Sequence, residues 1–136
     1  MRILALDHGT RRVGVAVSDE LQMIAQPLEY IAPEPFADFL ARLKAILQEK
    51  EISMILIGMP RNMHGSYGPA ALKVQEFVAA LKEAVTVPIK SWDERLTTVQ
   101  AQKFLIQGGV RRDQRKQKVD KTAAAILLQS YLDGLT

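Results

Sequence analysis

Three carboxylate positions far apart in the chain carry the clearest chemical signal: Asp7, the adjacent pair Asp93 and Glu94, and Asp120. Asp7 interrupts the apolar stretch LALDHGTRRVGV, Asp93-Glu94 follows the strand-like stretch VPIKSW, and Asp120 precedes AAAILL. Each has an ordinary use, Asp7 in a side-chain turn, Asp93 and Glu94 as a solvated pair at a loop, and Asp120 as a helix N-cap. Brought together, they would form a pocket whose mutual repulsion disfavours joint ionisation. A divalent cation relieves that repulsion, and oxygen donors select a hard ion, Mg²⁺ or Mn²⁺. One or two such ions would suit phosphodiester hydrolysis. The sequence has no cysteine, so thiolate metal sites, cysteine nucleophiles and disulfides are excluded together. His8 and His64 lack the spacing of a zinc pair and are expected at the surface or on the substrate side.

Two further stretches suit a polyanion. Seven of the 18 basic residues fall between positions 103 and 121, among them Arg111, Arg112, Arg115, Lys116 and Lys118, so the modest net charge of +3 conceals a basic segment suited to nucleic acid. Between Arg111 and Lys121 no stacking aromatic is interleaved with the basic side chains. The loop spanning 58–69, GMPRNMHGSYGP, offers Arg61 and Asn62, with Ser66, ahead of a helix N-terminus that could take phosphate. It lacks the Gly-Lys-Ser/Thr ending of a Walker loop.

The elements that must position these groups follow from hydrophobic period. Residues 3–6 are continuously apolar, as in a central strand, and Val13, Val15 and Val17 alternate with small residues. A third strand is expected over about 23–31, where Pro27 demands an edge or a bulge. Phe36, Phe39, Leu40, Leu43, Ile46 and Leu47 fall at helical spacing. A strand at 53–57, a helix with Ala71, Val74, Phe77 and Leu81 inward, and a strand at 87–92 ending in the lone tryptophan, Trp92, come next. A helix to about Gln107 and a last one opened by Asp120, with Ala124, Leu127, Tyr131 and Leu135 on one face, complete the order β-β-β-α-β-α-β-α-α. Alternation after an antiparallel meander implies an α/β protein with a mixed sheet covered on both faces. Sites in such sheets form beyond the carboxyl ends of strands. At 136 residues one domain spanning 1–136 is expected. No membrane span or secretory signal is read, so a cytoplasmic protein is expected.

Four segments in order, LALDHGTRRVGVAVSD, IGMPRNMHGSYGPAA, DERLTT and KVDKTAAAILLQSYLD, resemble the motifs of the bacterial YqgF family, described as Holliday junction resolvases and pre-16S ribosomal RNA nucleases. The resemblance covers nearly the whole chain. It implies a ribonuclease H-like, three-layer α/β/α fold with a five-stranded mixed sheet. It also implies Asp7, Glu94 and Asp120 as catalytic metal ligands, with Arg12 and Arg95 near phosphate. His8 and Arg61 depart from the commoner family residues without touching the carboxylates. The expected function is therefore a metal-dependent nuclease acting on structured RNA, foremost the 5′ processing of pre-16S rRNA, with ribosomal particles as partners. DNA junction cleavage is the nearest variant and a non-catalytic ribosome-assembly factor the alternative of another class. Asp-x-Gly-Thr also occurs in nucleotide-binding kinases, but those need two lobes and this chain supplies one.

Overall fold

The computed structural model describes residues 1–9, 11–60, 68–93 and 123–135. Eight elements are present among them: β1 (Arg2–His8), β2 (Val13–Ser18), β3 (Ala25–Ile31), α1 (Phe36–Glu49), β4 (Ile52–Met59), α2 (Pro69–Ala84), β5 (Ile89–Asp93) and α3 (Ala123–Asp133). The sheet order is β3-β2-β1-β4-β5, antiparallel across β3, β2 and β1 and parallel across β1, β4 and β5. This is the expected five-stranded mixed sheet. The expected helix before the basic segment lies outside the described residues.

Period-two alternation divides the strands between two cores. Leu4, Leu6, Val15, Ile55 and Ile57 pack under α1 and α2, against Phe39, Leu43, Leu81 and Phe77. Ile3, Ala5, Ala16 and Leu56 face α3 through Ala124, Leu127, Leu128 and Leu132. Both faces of the central strand β1 are covered, which explains its unbroken apolar run.

The boundaries differ from the sequence expectations for identifiable reasons. The third strand begins at Ala25 rather than Met23, because the Asp19 carboxylate accepts hydrogen bonds from the backbone N–H groups of Met23 (2.8 Å) and Ile24 (2.9 Å). Those donors hold the Asp19 carboxyl below its ordinary pKa and draw both residues into the turn, where Gln22 adopts φ 58°. Pro27 meets both of its conditions: β3 is an edge strand, and the β2–β3 register shifts between Val15 and Ala16. Strand β4 runs on through Gly58 and Met59, which pair with Trp92 and Asp93 of β5, so the following loop begins later than expected. Leu135 is 52% exposed rather than on the inner face of the last helix, because α3 ends at Asp133.

The end of β5 is tied to α3 by Trp92. Its indole Nε1–H donates to the buried Ser130 Oγ at 3.2 Å, and its ring meets Tyr131 edge to face at 5.3 Å. This agrees with the expectation that Trp92 packs at the strand end. Replacing Ser130 with Ala removes the acceptor and should cost about 1 kcal/mol. The loss is measurable in urea, with Trp92 fluorescence reporting the contact itself; unchanged stability and emission would show that the bond contributes nothing.

Candidate active site

Strands β1, β4 and β5 run in one direction, so Asp7, Met59 and Asp93 arrive at the same edge of the sheet. Asp7 is next to last in β1 and lies half-buried on the face that carries Ile3, Ala5 and helix α3. Its cross-strand partner is Gly14, and Gly14 in turn pairs with Tyr30 of the edge strand. A single row, Asp7–Gly14–Tyr30, therefore crosses three strands.

Gly14 is the narrow point of that row. A Cβ there would lie 3.4 Å from Tyr30 Cε1, 3.5 Å from Ala124 Cβ and 3.7 Å from Asp7 Cβ. The first turn of α3 is thus seated directly over the strand beside the carboxylate. Beyond it, a shallow cleft of about 200 Å³ is lined by Gly14, Pro27, Tyr30 and Ala124 among others.

The turn leading from Asp7 is fixed by its backbone. Gly9 N–H donates to the Arg12 carbonyl at 3.0 Å, and a Cβ on residue 9 would approach that oxygen to 2.7 Å, so glycine is required. The Arg12 side chain leaves this turn and lies over the Tyr30 ring, its Cζ 4.0 Å from the centroid. Among the described residues the ion pairs are Arg2–Glu20 and Arg42–Glu29, neither of which involves Asp7.

His8 corrects an expectation. It points to the opposite face from Asp7 and is half-buried against Phe77, with ring centroids 4.5 Å apart. Burial pulls its pKa below the ordinary imidazole value, offset in part by its own backbone hydrogen bond and by the charge of Asp7. It belongs to the aromatic packing under α1 and α2, with Phe36 and Phe39.

Of the residues singled out from sequence, Asp7, His8, Arg12, Trp92 and Asp93 are among the described ones. Glu94, Asp120, Arg61, Asn62, Arg95, Arg111, Arg112, Arg115, Lys116 and Lys118 lie outside the described residues, as does His64. Among the described residues no three His, Asp or Glu side chains converge on a metal position. Tyr30 was missed by sequence reasoning. Counting the hairpin register outward from Asp7 through Gly14 would have found it, had the Asp19 turn fixed where pairing begins.

Among the described residues no helix is long and apolar enough to cross a membrane. The fold is shared with solved Holliday junction resolvases. RuvC from T. thermophilus, solved in complex with a Holliday junction substrate, aligns with a TM-score of 0.58 at 18% identity, over 98% of this chain and 96% of that one. The fowlpox virus Holliday junction resolvase aligns with a TM-score of 0.55 at 13% identity, over 98% of this chain and 99% of its own. Much nearer in sequence are bacterial proteins that carry the name "Putative pre-16S rRNA nuclease". The one from Halothermothrix orenii is 46% identical over 133 residues, covering 98% of this chain and 95% of the relative. That from Geobacillus kaustophilus is 48% identical over 136 residues, covering 98% and 99%. The family model RuvX, described as Holliday junction resolvase, matches residues 1–134. With that match over nearly its full length and relatives close to half identical, the chain belongs to the RuvX (YqgF) family.

Proposed function

We propose that this protein is a nuclease that hydrolyses phosphodiester bonds in structured RNA, processing the 5′ end of pre-16S rRNA with Mg²⁺ or Mn²⁺ held by Asp7, Glu94 and Asp120. The observation that carries the reading is the placement of Asp7: a carboxylate at the carboxyl end of the central strand, half-buried on the α3 face and outside both described ion pairs. A carboxylate so placed fits a hard cation, because its oxygens are not already committed to an arginine or lysine among the described residues.

Two constraints support the partners assigned to it. Trp92 packs on the same face as Asp7, and in the sequence Glu94 stands two positions after it, the interval at which a strand repeats a face. Asp120 precedes Ala123 by three residues in the sequence, and three residues reach at most about 11 Å; the described part of α3, from Ala123 on, is seated beside Gly14. Asp7, Glu94 and Asp120 would hold the ion. When bound, it supplies acidification of water and neutralisation of charge on the leaving oxygen. Arg12, Arg61, Asn62 and Arg95, with Arg111, Arg112, Arg115, Lys116 and Lys118, would bind and orient the phosphate backbone, which fixes register without reading sequence. The reading sets the protein in the cytoplasm, with precursor ribosomal particles as its partner.

The test uses the purified chain with a 5′-extended 16S precursor fragment and, in parallel, a four-way DNA junction. Cleavage of the RNA with Mg²⁺ or Mn²⁺, abolished by chelator, is the expected result. Preferential cutting of the junction would move the substrate to DNA. Binding to the RNA with no cleavage of either would replace the nuclease by an assembly factor.

A further inference from the structure

The Arg12–Tyr30 contact lies in the row that contains Asp7, and its geometry suits a purpose beyond packing. Two inter-strand steps of about 4.8 Å separate the Asp7 and Tyr30 backbones, but the ring leans over Gly14: a Cβ there would lie 3.4 Å from Tyr30 Cε1 and 3.7 Å from Asp7 Cβ, which leaves the ring edge within about 7 Å of Asp7 Cβ. Tyr30 is 41% exposed, and the Arg12 guanidinium lies over its ring and in neither described ion pair. Gly14 makes room for the ring between them.

We propose that Tyr30 is a positioning residue: its ring holds the Arg12 guanidinium over the outer rim of the site, where it takes a backbone phosphate flanking the scissile one. The inference rests on the nuclease reading given above. A guanidinium lying over an aromatic face is held by the ring quadrupole, while its N–H groups, which lie in its own plane, stay available for a bidentate phosphate contact. A free arginine side chain would surrender its rotamer freedom when substrate binds; a stacked one has done so beforehand. The neighbouring carboxylate on β3 does not compete for it. Glu29 is committed to Arg42 through bonds of 2.6 and 2.9 Å.

The test compares Tyr30→Leu, Tyr30→Phe, Arg12→Gln, Arg12→Lys and the double variant Tyr30→Leu/Arg12→Gln. The readouts are KM and kcat on the 5′-extended RNA and, with chelator present, its affinity as a function of salt. Tyr30→Leu should raise KM about two- to fivefold with kcat little changed, the size of an exposed cation–π contact. Tyr30→Phe should behave as wild type, since it keeps the ring. Arg12→Gln should flatten the log–log salt dependence by about 0.7–0.9, one phosphate contact. In that background Tyr30→Leu should have no further effect.

Additive effects of the two substitutions, or a Tyr30→Phe variant as impaired as Tyr30→Leu, would overturn the proposal. Should Tyr30→Leu melt early, Arg12→Lys decides, because it keeps the charge and loses the planar stack: raised KM supports the proposal and wild-type KM overturns it. A wild-type chain that neither binds nor cuts the RNA would overturn the nuclease reading and this inference with it, whereas wild-type activity with unaffected variants removes the inference alone.

Discussion

Asp7→Asn should give a folded protein that still binds structured RNA and no longer cuts it. The substitution preserves shape and removes one negative charge. Asp7 takes part in neither described ion pair, so no described arginine or lysine loses a salt-bridge partner when that charge is removed. In the proposed grouping of Asp7 with Glu94 and Asp120, relief of repulsion works in the same direction, and thermal stability should stay level or rise. The proposed cation site, by contrast, loses a charged donor. If the ion supplies several kcal/mol of charge stabilisation at the reacting centre, losing about 4 kcal/mol of it slows cleavage roughly a thousandfold. Binding through backbone phosphates is a separate free energy and should persist. Single-turnover cleavage and fluorescence anisotropy on the same RNA separate the two quantities. Cleavage at the wild-type rate would remove Asp7 from the chemistry, and with it the reason for the metal.

How much of this was readable beforehand depended on whether a feature is written in local pattern or in pairing. The helices and strands were legible because burial repeats with the period of each element: Phe39, Leu43 and Ile46 are all buried in α1, and Leu4 and Leu6 oppose Ile3 and Ala5 across β1. Pro27 announced an edge or a bulge because it has no N–H to donate, and it sits at both. The ends of elements were less legible. Asp19 takes the N–H groups of Met23 and Ile24 through its side chain, a competition that no hydrophobic period records. The length of β4 depended on where β5 pairs with it, a non-local fact.

The site divides along the same line. Asp7 was visible because a charge at the end of an apolar strand breaks the local pattern. Trp92 was correctly expected at the strand end, although its bond to Ser130 comes from tertiary packing alone. The role of His8 was misjudged: lacking the spacing of a zinc pair, it was expected at the surface or on the substrate side, but strand alternation turns it away from Asp7 and onto Phe77. Tyr30 was passed over because nothing local distinguishes it from any aromatic residue on a strand. Its significance comes from register, which carries the row from Asp7 through Gly14 to the sheet edge.

Gly14→Val should damage both stability and cleavage, whereas Gly14→Ala should be nearly silent. Position 14 has room for one carbon: an alanine Cβ would sit in ordinary contact with Tyr30, Ala124 and Asp7 at 3.4, 3.5 and 3.7 Å. Alanine also reduces the conformational freedom of the unfolded chain, so its stability should change by less than about 1 kcal/mol. Valine adds two γ-carbons to a position already in contact on three sides. They must push α3 off the sheet, displace the Tyr30 ring or press on Asp7. Overpacking of this kind costs about 1–3 kcal/mol, even though valine is the better strand former. The activity loss should exceed what reduced folding explains, because a displacement of about 1 Å at reacting groups can cost on the order of a hundredfold. Urea denaturation together with cleavage rates at a temperature where both variants are fully folded distinguishes the two effects. If valine preserves the rate, the proposed site does not depend on close approach of α3 at Gly14, and the link between that contact and the proposed carboxylate ligands fails.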